Sequence, residues 1–179
     1  MTGAAESGVG VARPAPARRS IARLAAVQAL YEMDMAGAAA DTVLRRFLEA
    51  DWEAASAPDE MVATTAAHMD RDHFQRIVRG VAEDIGEIDG MIEAALSEAW
   101  TVARLEVVLK AVLRAGTFEL KAGNGVPPRV VISEYMDVAH AFFSGKEPNL
   151  VNGVLDRLAH VLRREELEDP SDGQAAENR

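Results

Sequence analysis

Four arginines, Arg13, Arg18, Arg19 and Arg23, fall within residues 7–31, a stretch without a single acid. Guanidinium groups offer paired N–H donors to phosphate oxygens, so such a cluster suits a nucleic-acid backbone. Arginines in the first turn of a helix also oppose its dipole, which gives their placement there a meaning beyond solubility. The whole chain is acidic, with a net charge of −10 from 29 Asp and Glu against 19 Lys and Arg. An acidic body carrying a small basic arm binds phosphate locally while limiting non-specific association. A second set, Glu106, Lys110, Arg114, Thr117 and Lys121, forms a narrow polar stripe on an otherwise apolar stretch. Glu106 and Lys110 have the favourable i, i+4 order of a solvent-facing salt bridge.

Other chemistries find little support. No cysteine is present, which removes disulfides, thiolate nucleophiles and Cys-ligated metals and agrees with a reducing, cytoplasmic setting. A metal site would have to use His68, Asp70, Asp72 and His73, but two histidines five residues apart do not share a helix face. Asp137 and His140 read as solvated polar residues. No G-x-S-x-G elbow, P-loop or dinucleotide-binding glycine pattern occurs, so the expectation is no enzyme, no catalytic residue, no metal and no cofactor. No apolar run approaches the roughly 18 residues that cross a bilayer, and no secretory apolar region is evident, so no membrane association is expected.

The elements that must position these residues are all helical. With 49% hydrophobic residues in 179, the chain can bury a core of one domain or two packed halves. Residues 1–17, rich in Gly, Ala and Pro, read as a flexible arm. A first helix runs from Arg18 to about Met35, with Ile21, Leu24, Val27, Gln28, Leu30, Tyr31 and Met35 on one arc. Asp41 can cap a second helix, and residues 53–69 form a weakly patterned connection. Apolar spacing returns from Asp70 to Ile85, is punctuated by Gly86 and Gly90, and continues through Leu96.

Residues 102–121 are apolar on most of the circumference, which marks a helix buried on nearly all sides, with the polar stripe as its solvent face. Gly123, Asn124 and Gly125 make a turn, and Pro127 and Pro128 open a helix that buries Ile132, Tyr135, Met136, Ala139, Phe142 and Phe143. A last helix, from about Pro148 to Arg163, buries Val151, Val154, Leu155, Leu158, Val161 and Leu162. It leaves Asn149, Asn152, Asp156, His160 and Arg163 outside, with Gly153 permitting close packing. The pattern predicts an all-α protein of two small bundles, residues 18–98 and 99–164, within one domain 18–164. An acidic, disordered tail follows at 165–179.

Three blocks resemble the NusB family of transcription antitermination factors: "ARRSIARLAAVQALY" at 17–31, "LKAVLRAGTFEL" at 109–120 and "VPPRVVISEYMDVAHAFFSGKEPNLVNGVLDRLA" at 126–159. "HFQRIVRGV" at 73–81 and the following "IDGMIEAAL" are a weaker match. The resemblance spans residues 17–162 and implies the same two-bundle fold. It also implies binding of single-stranded boxA RNA in ribosomal RNA operon transcripts, together with ribosomal protein NusE, in a complex that helps RNA polymerase resist premature termination.

By that resemblance the RNA-binding residues are Arg18, Arg19 and Arg23 on phosphates, Tyr31 near the RNA surface, Lys110 and Arg114, which either extend the track or pair with an acid on the protein, and Asn149 and Leu150 before "VNGVLD". Gln28 reads as a buried hydrogen-bonding residue. Family members often carry Phe where this chain has Leu150, and more arginine where it has Ser20 and Ile21, so RNA affinity here leans on the partner. Residues 41–98, with 14 acids against five bases, suit a basic protein partner. A helical docking module with marginal RNA binding, or an isolated NusB-like domain of the kind found in RNA methyltransferases, is the alternative. Monomer and homodimer are both compatible with the pattern.

Overall fold

The computed structural model describes residues 18–55, 69–97 and 100–168. The arm 1–17, residues 56–68 of the weakly patterned connection and the tail from 169 onward lie outside them, as does His68. Every described element is helical: α1 (Arg18–Ala36), α2 (Ala40–Ala55), α3 (Arg71–Glu83), α4 (Ile85–Ala95), a 3-10 turn (Val102–Arg104), α5 (Val107–Ala122), α6 (Pro128–Phe142), α7 (Glu147–Leu162) and α8 (Arg164–Glu168). α5 is shared by both halves of the molecule. α1, α2 and α3 pack on one another, with α1 and α3 against α5, while α6 and α7 pack on each other and on its other side. α4, which the sequence groups with the first bundle, packs chiefly on α5 and α7.

The central position of α5 follows from its composition. Leu109, Ala111, Val112, Leu113, Ala115 and Leu120 are buried, and so are Gly116 and Thr117. Two glycines let neighbouring helices close on it. A Cβ at Gly116 would stand 2.8 Å from a Leu155 methyl on α7, and one at Gly80 of α3 would stand 2.0 Å from the Phe118 ring. Gly153 has no neighbour within 4 Å of such an atom, so close approach is made at Gly80 and Gly116 and not, as expected, at Gly153. The α5–α6 turn uses three successive left-handed residues, Gly123, Asn124 and Gly125, a conformation that glycine and asparagine adopt at least cost.

Several boundaries differ from the periodicity. Asp70, not Asp41, is the side-chain cap: its Oδ1 accepts from His73 N–H at 2.9 Å at the head of α3. Asp41 sits inside the first turn of α2, where a negative charge suits the dipole. Gly86 and Gly90 lie within α4, and the break comes earlier, at Asp84. Residues 165–168 belong to a short helix, and Arg163 turns inward to pair with Glu166. Val161 is 81% exposed and Phe142 is also exposed, because both face away from the core at the last turn of a helix, whereas the next residues, Leu162 and Phe143, pack against it. No helix among the described residues is long and apolar enough to cross a membrane.

Candidate nucleic-acid interface

α1 presents two chemically different sides. Ala22, Ala26, Val27, Ala29 and Leu30 are buried against α3 and α5. Turning by about 100° per residue puts Gln28, Tyr31 and Met35 on the opposite side, and all three are exposed, Tyr31 by 39%. Gln28 is therefore a surface residue and not a buried hydrogen-bonding one. Arg18, the first residue of the helix, is exposed as well, but the same turning puts it about 140° around the axis from Tyr31. From Arg18 to Tyr31 the helix rises roughly 20 Å.

Arg19 reaches the other way, to the cap of α3. Its Nε lies 3.5 Å from Asp70 Oδ2, with 52% of its side chain exposed, and the Asp70 N–H donates to the Arg18 carbonyl at 3.1 Å. An exposed pair at that distance is worth little in stability and leaves the guanidinium accessible to a stronger anion.

Arg23 has a different role from the phosphate ligand the sequence suggests. Its side chain is 3% exposed. Nε and Nη2 donate to the two carboxylate oxygens of Glu119 at 2.7 and 3.0 Å, and Nη1 donates to Glu134 at 2.9 Å. A guanidinium enclosed by two carboxylates in the core has no donor face to offer RNA. Glu119 also accepts from the Tyr135 hydroxyl at 2.8 Å, and His73 Nε2 lies 3.1 Å from its other oxygen. One buried carboxylate thus joins α1, α3, α5 and α6.

Burial pushes the Glu119 carboxyl up, but the contact from His73 and the bonds and charge of Arg23 outweigh it and hold the group at about 2. The Tyr135 hydroxyl is pushed well above its usual range, by burial first and then by the Glu119 charge, so it stays a neutral donor. A carboxyl depressed from 4.5 to about 2 contributes stability that is complete above its unfolded pKa and is lost as pH falls through the folded one. That contribution is about 3 kcal/mol at neutral pH. Urea unfolding should therefore lose about 3 kcal/mol more between pH ~5 and ~2 in the native chain than in Glu119→Gln. Parallel pH profiles for the two would show that Glu119 is not held ionised in the fold.

Lys110 and Arg114 are likewise committed. Lys110 Nζ lies 2.7 Å from Asp34 Oδ2. Arg114 forks onto Asp89 at 2.8 and 2.7 Å and reaches Asp34 at 3.3 Å. Apart from Glu106, which is exposed, the stripe read as a solvent face is instead covered by α1 and α4, with Thr117 fully buried and Lys121 on Asp84 and Glu87. Lys110 pairs with α1, not with Glu106 one turn away. Asn149 is exposed in the first turn of α7 and Leu150 is half-buried against the core. α7 packs on α4, α5, α6 and α8, whereas α1 packs on α2, α3, α5 and α6. The structure therefore joins Lys110 to Arg114 through Asp34 and leaves Asn149 and Leu150 on an element apart from the arginines. Among the described residues no cluster of three or more His, Asp or Glu is arranged to hold a metal.

The buried acceptor Glu119 and the partly exposed acceptors Glu134, Asp34 and Asp89 were not singled out by sequence. One signal was available: an acid at 119 within a helix apolar on most sides needs a partner of opposite charge.

These features define a class: an all-helical protein whose first helix exposes a basic head and an aromatic side while locking its third arginine in the core. The chain belongs to the NusB family, whose family model matches residues 20–160. The transcription antitermination protein NusB of Brucella ovis is 49% identical over 148 residues, 83% of this chain and 84% of that one. The T. maritima NusB structure superposes with a TM-score of 0.62 at 28% identity, covering 88% of this chain and all of the other. A structure of antitermination factors NusB and NusE in complex with double-stranded RNA superposes with a TM-score of 0.64 over 80% of this chain and 97% of that one. At 24% identity, that last likeness is one of fold.

Proposed function

We propose that this protein is a transcription antitermination factor that binds boxA-type single-stranded RNA of ribosomal RNA operon transcripts together with ribosomal protein NusE, in the cytoplasm, and helps RNA polymerase resist premature termination. Family membership supports the process, and the fold neighbour crystallised with NusE and RNA supports the class of partner. The observation that carries the reading is the surface of α1. Exposed Arg18 and Arg19 at its head offer phosphate contacts, and exposed Tyr31 offers a ring on which a splayed base can stack. Asn149 and Leu150 supply a separate polar and apolar contact. Lys110 and Arg114 act through the protein, holding α1 and α4 on α5.

A salt titration of binding to a boxA-like single strand, a scrambled strand and a duplex, with and without NusE, tests this. Two phosphate contacts predict a log–log slope of at least about −1.4, with a preference for the boxA strand that sharpens when NusE is present. Equal, weak binding to all three RNAs in both conditions would sink the reading. NusE binding without any RNA binding would favour the docking-module alternative, for which the −9 charge of residues 41–98, from 14 acids and five bases, is the supporting feature.

A further inference from the structure

We propose that Glu134 on α6 is a positioning residue for the RNA-binding head of α1, an inference that rests on the RNA reading above. One of its carboxylate oxygens accepts from Ser20 Oγ at 2.6 Å and from Arg23 Nη1 at 2.9 Å. Ser20 and Arg23 are three residues apart, on one face of the helix, so a single oxygen grips the first and second turns together. On the other flank the Asp70 N–H holds the Arg18 carbonyl and the Asp70 carboxylate meets Arg19. The turn that carries both exposed arginines is thus held from α6 and from the cap of α3.

Such a hold has a physical purpose. A helix terminus has unpartnered backbone groups and opens more readily than the middle of the helix, and arginines at the positive end of the dipole weaken it further. Fixing the turn before RNA arrives lowers the ordering cost of each arginine on binding. The carboxylate is one-quarter exposed, so its own charge repels phosphate. Charge alone therefore predicts that neutralising Glu134 tightens RNA binding, whereas positioning predicts the opposite sign.

The experiment is a double-mutant cycle on the full chain, with RNA affinity for a boxA-like strand as the readout and a thermal melt for each variant. Glu134→Gln is expected to weaken binding about two- to ten-fold and to have no effect when Arg18 and Arg19 are both Ala. Ser20→Ala, which changes no charge, should weaken binding in the same direction and decides the matter if Glu134→Gln does not fold. Unchanged or tighter binding by Glu134→Gln, or equal weakening in both backgrounds, overturns the positioning role. A loss-free Arg18→Ala, Arg19→Ala double variant overturns the RNA reading itself and this role with it.

Discussion

Glu119→Ala should lose about 3–5 kcal/mol of folding stability, because it removes one side of a buried ion pair and leaves the other uncompensated. Arg23 would keep its charge in the core with only the half-buried Glu134 as a partner, and the Tyr135 hydroxyl would lose its acceptor. For a chain of this size, the loss corresponds to a melting temperature lower by roughly 6–20 °C. Urea unfolding monitored by far-ultraviolet circular dichroism measures it. A loss under about 1 kcal/mol would mean that water reaches the site and replaces the missing oxygens. Glu119→Gln should fall between the two, since an amide oxygen still accepts from Tyr135 but carries no charge for Arg23.

The second large effect belongs to binding. Replacing Arg18 and Arg19 together with Ala should reduce RNA affinity by about ten- to a hundred-fold at low salt and make the salt slope shallower by about 1.4. Stability should change by less than about 1 kcal/mol, because both side chains are exposed and the Arg19–Asp70 pair is loose. Arg114→Ala should behave in the reverse way. It strips Asp89 and Asp34 of a shared cation and so costs stability, while the salt slope stays as in the native chain. Filter binding at four or more salt concentrations separates the two. A slope reduced equally by Arg114→Ala would return Arg114 to the RNA surface.

The fold was legible in the sequence wherever apolar spacing was regular. α5 reads as buried on most sides because Val107, Leu109, Val112, Leu113 and Leu120 leave almost no polar arc, and α3, α6 and α7 are visible in the same way. Periodicity identifies a face but not what covers it. The stripe Lys110, Arg114 and Lys121 looked like a solvent edge, and only the packing of α1 and α4 brings Asp34, Asp89, Asp84 and Glu87 over it. Nor does periodicity show which of two adjacent apolar residues at a helix end turns inward: Val161 and Phe142 stand in solvent while Leu162 and Phe143 pack on the core.

The site divided along the same line. Arg18 and Arg19 are exposed as a basic helix head requires, while Arg23 belongs to a core network whose two carboxylates lie 96 and 111 residues further on. In one dimension an arginine four residues from another looks like its neighbour. Its environment is set by Glu119 and Glu134, and their own burial follows only once α5 and α6 have been placed against α1.

The bond from Ser20 to Glu134 joins residues 114 positions apart, which imposes an order of events on a chain made from its amino end. At about 5–20 residues per second, the head of α1 leaves the ribosome roughly 6–23 s before the residue that grips it. For most of that interval Arg23 has neither carboxylate partner, and the apolar side of α1 has no complete α5 to cover it until residue 122 has been made. The surface that is synthesised first is therefore completed almost last, and a chain cut short before α6 would carry the basic head of α1 held only from the cap of α3.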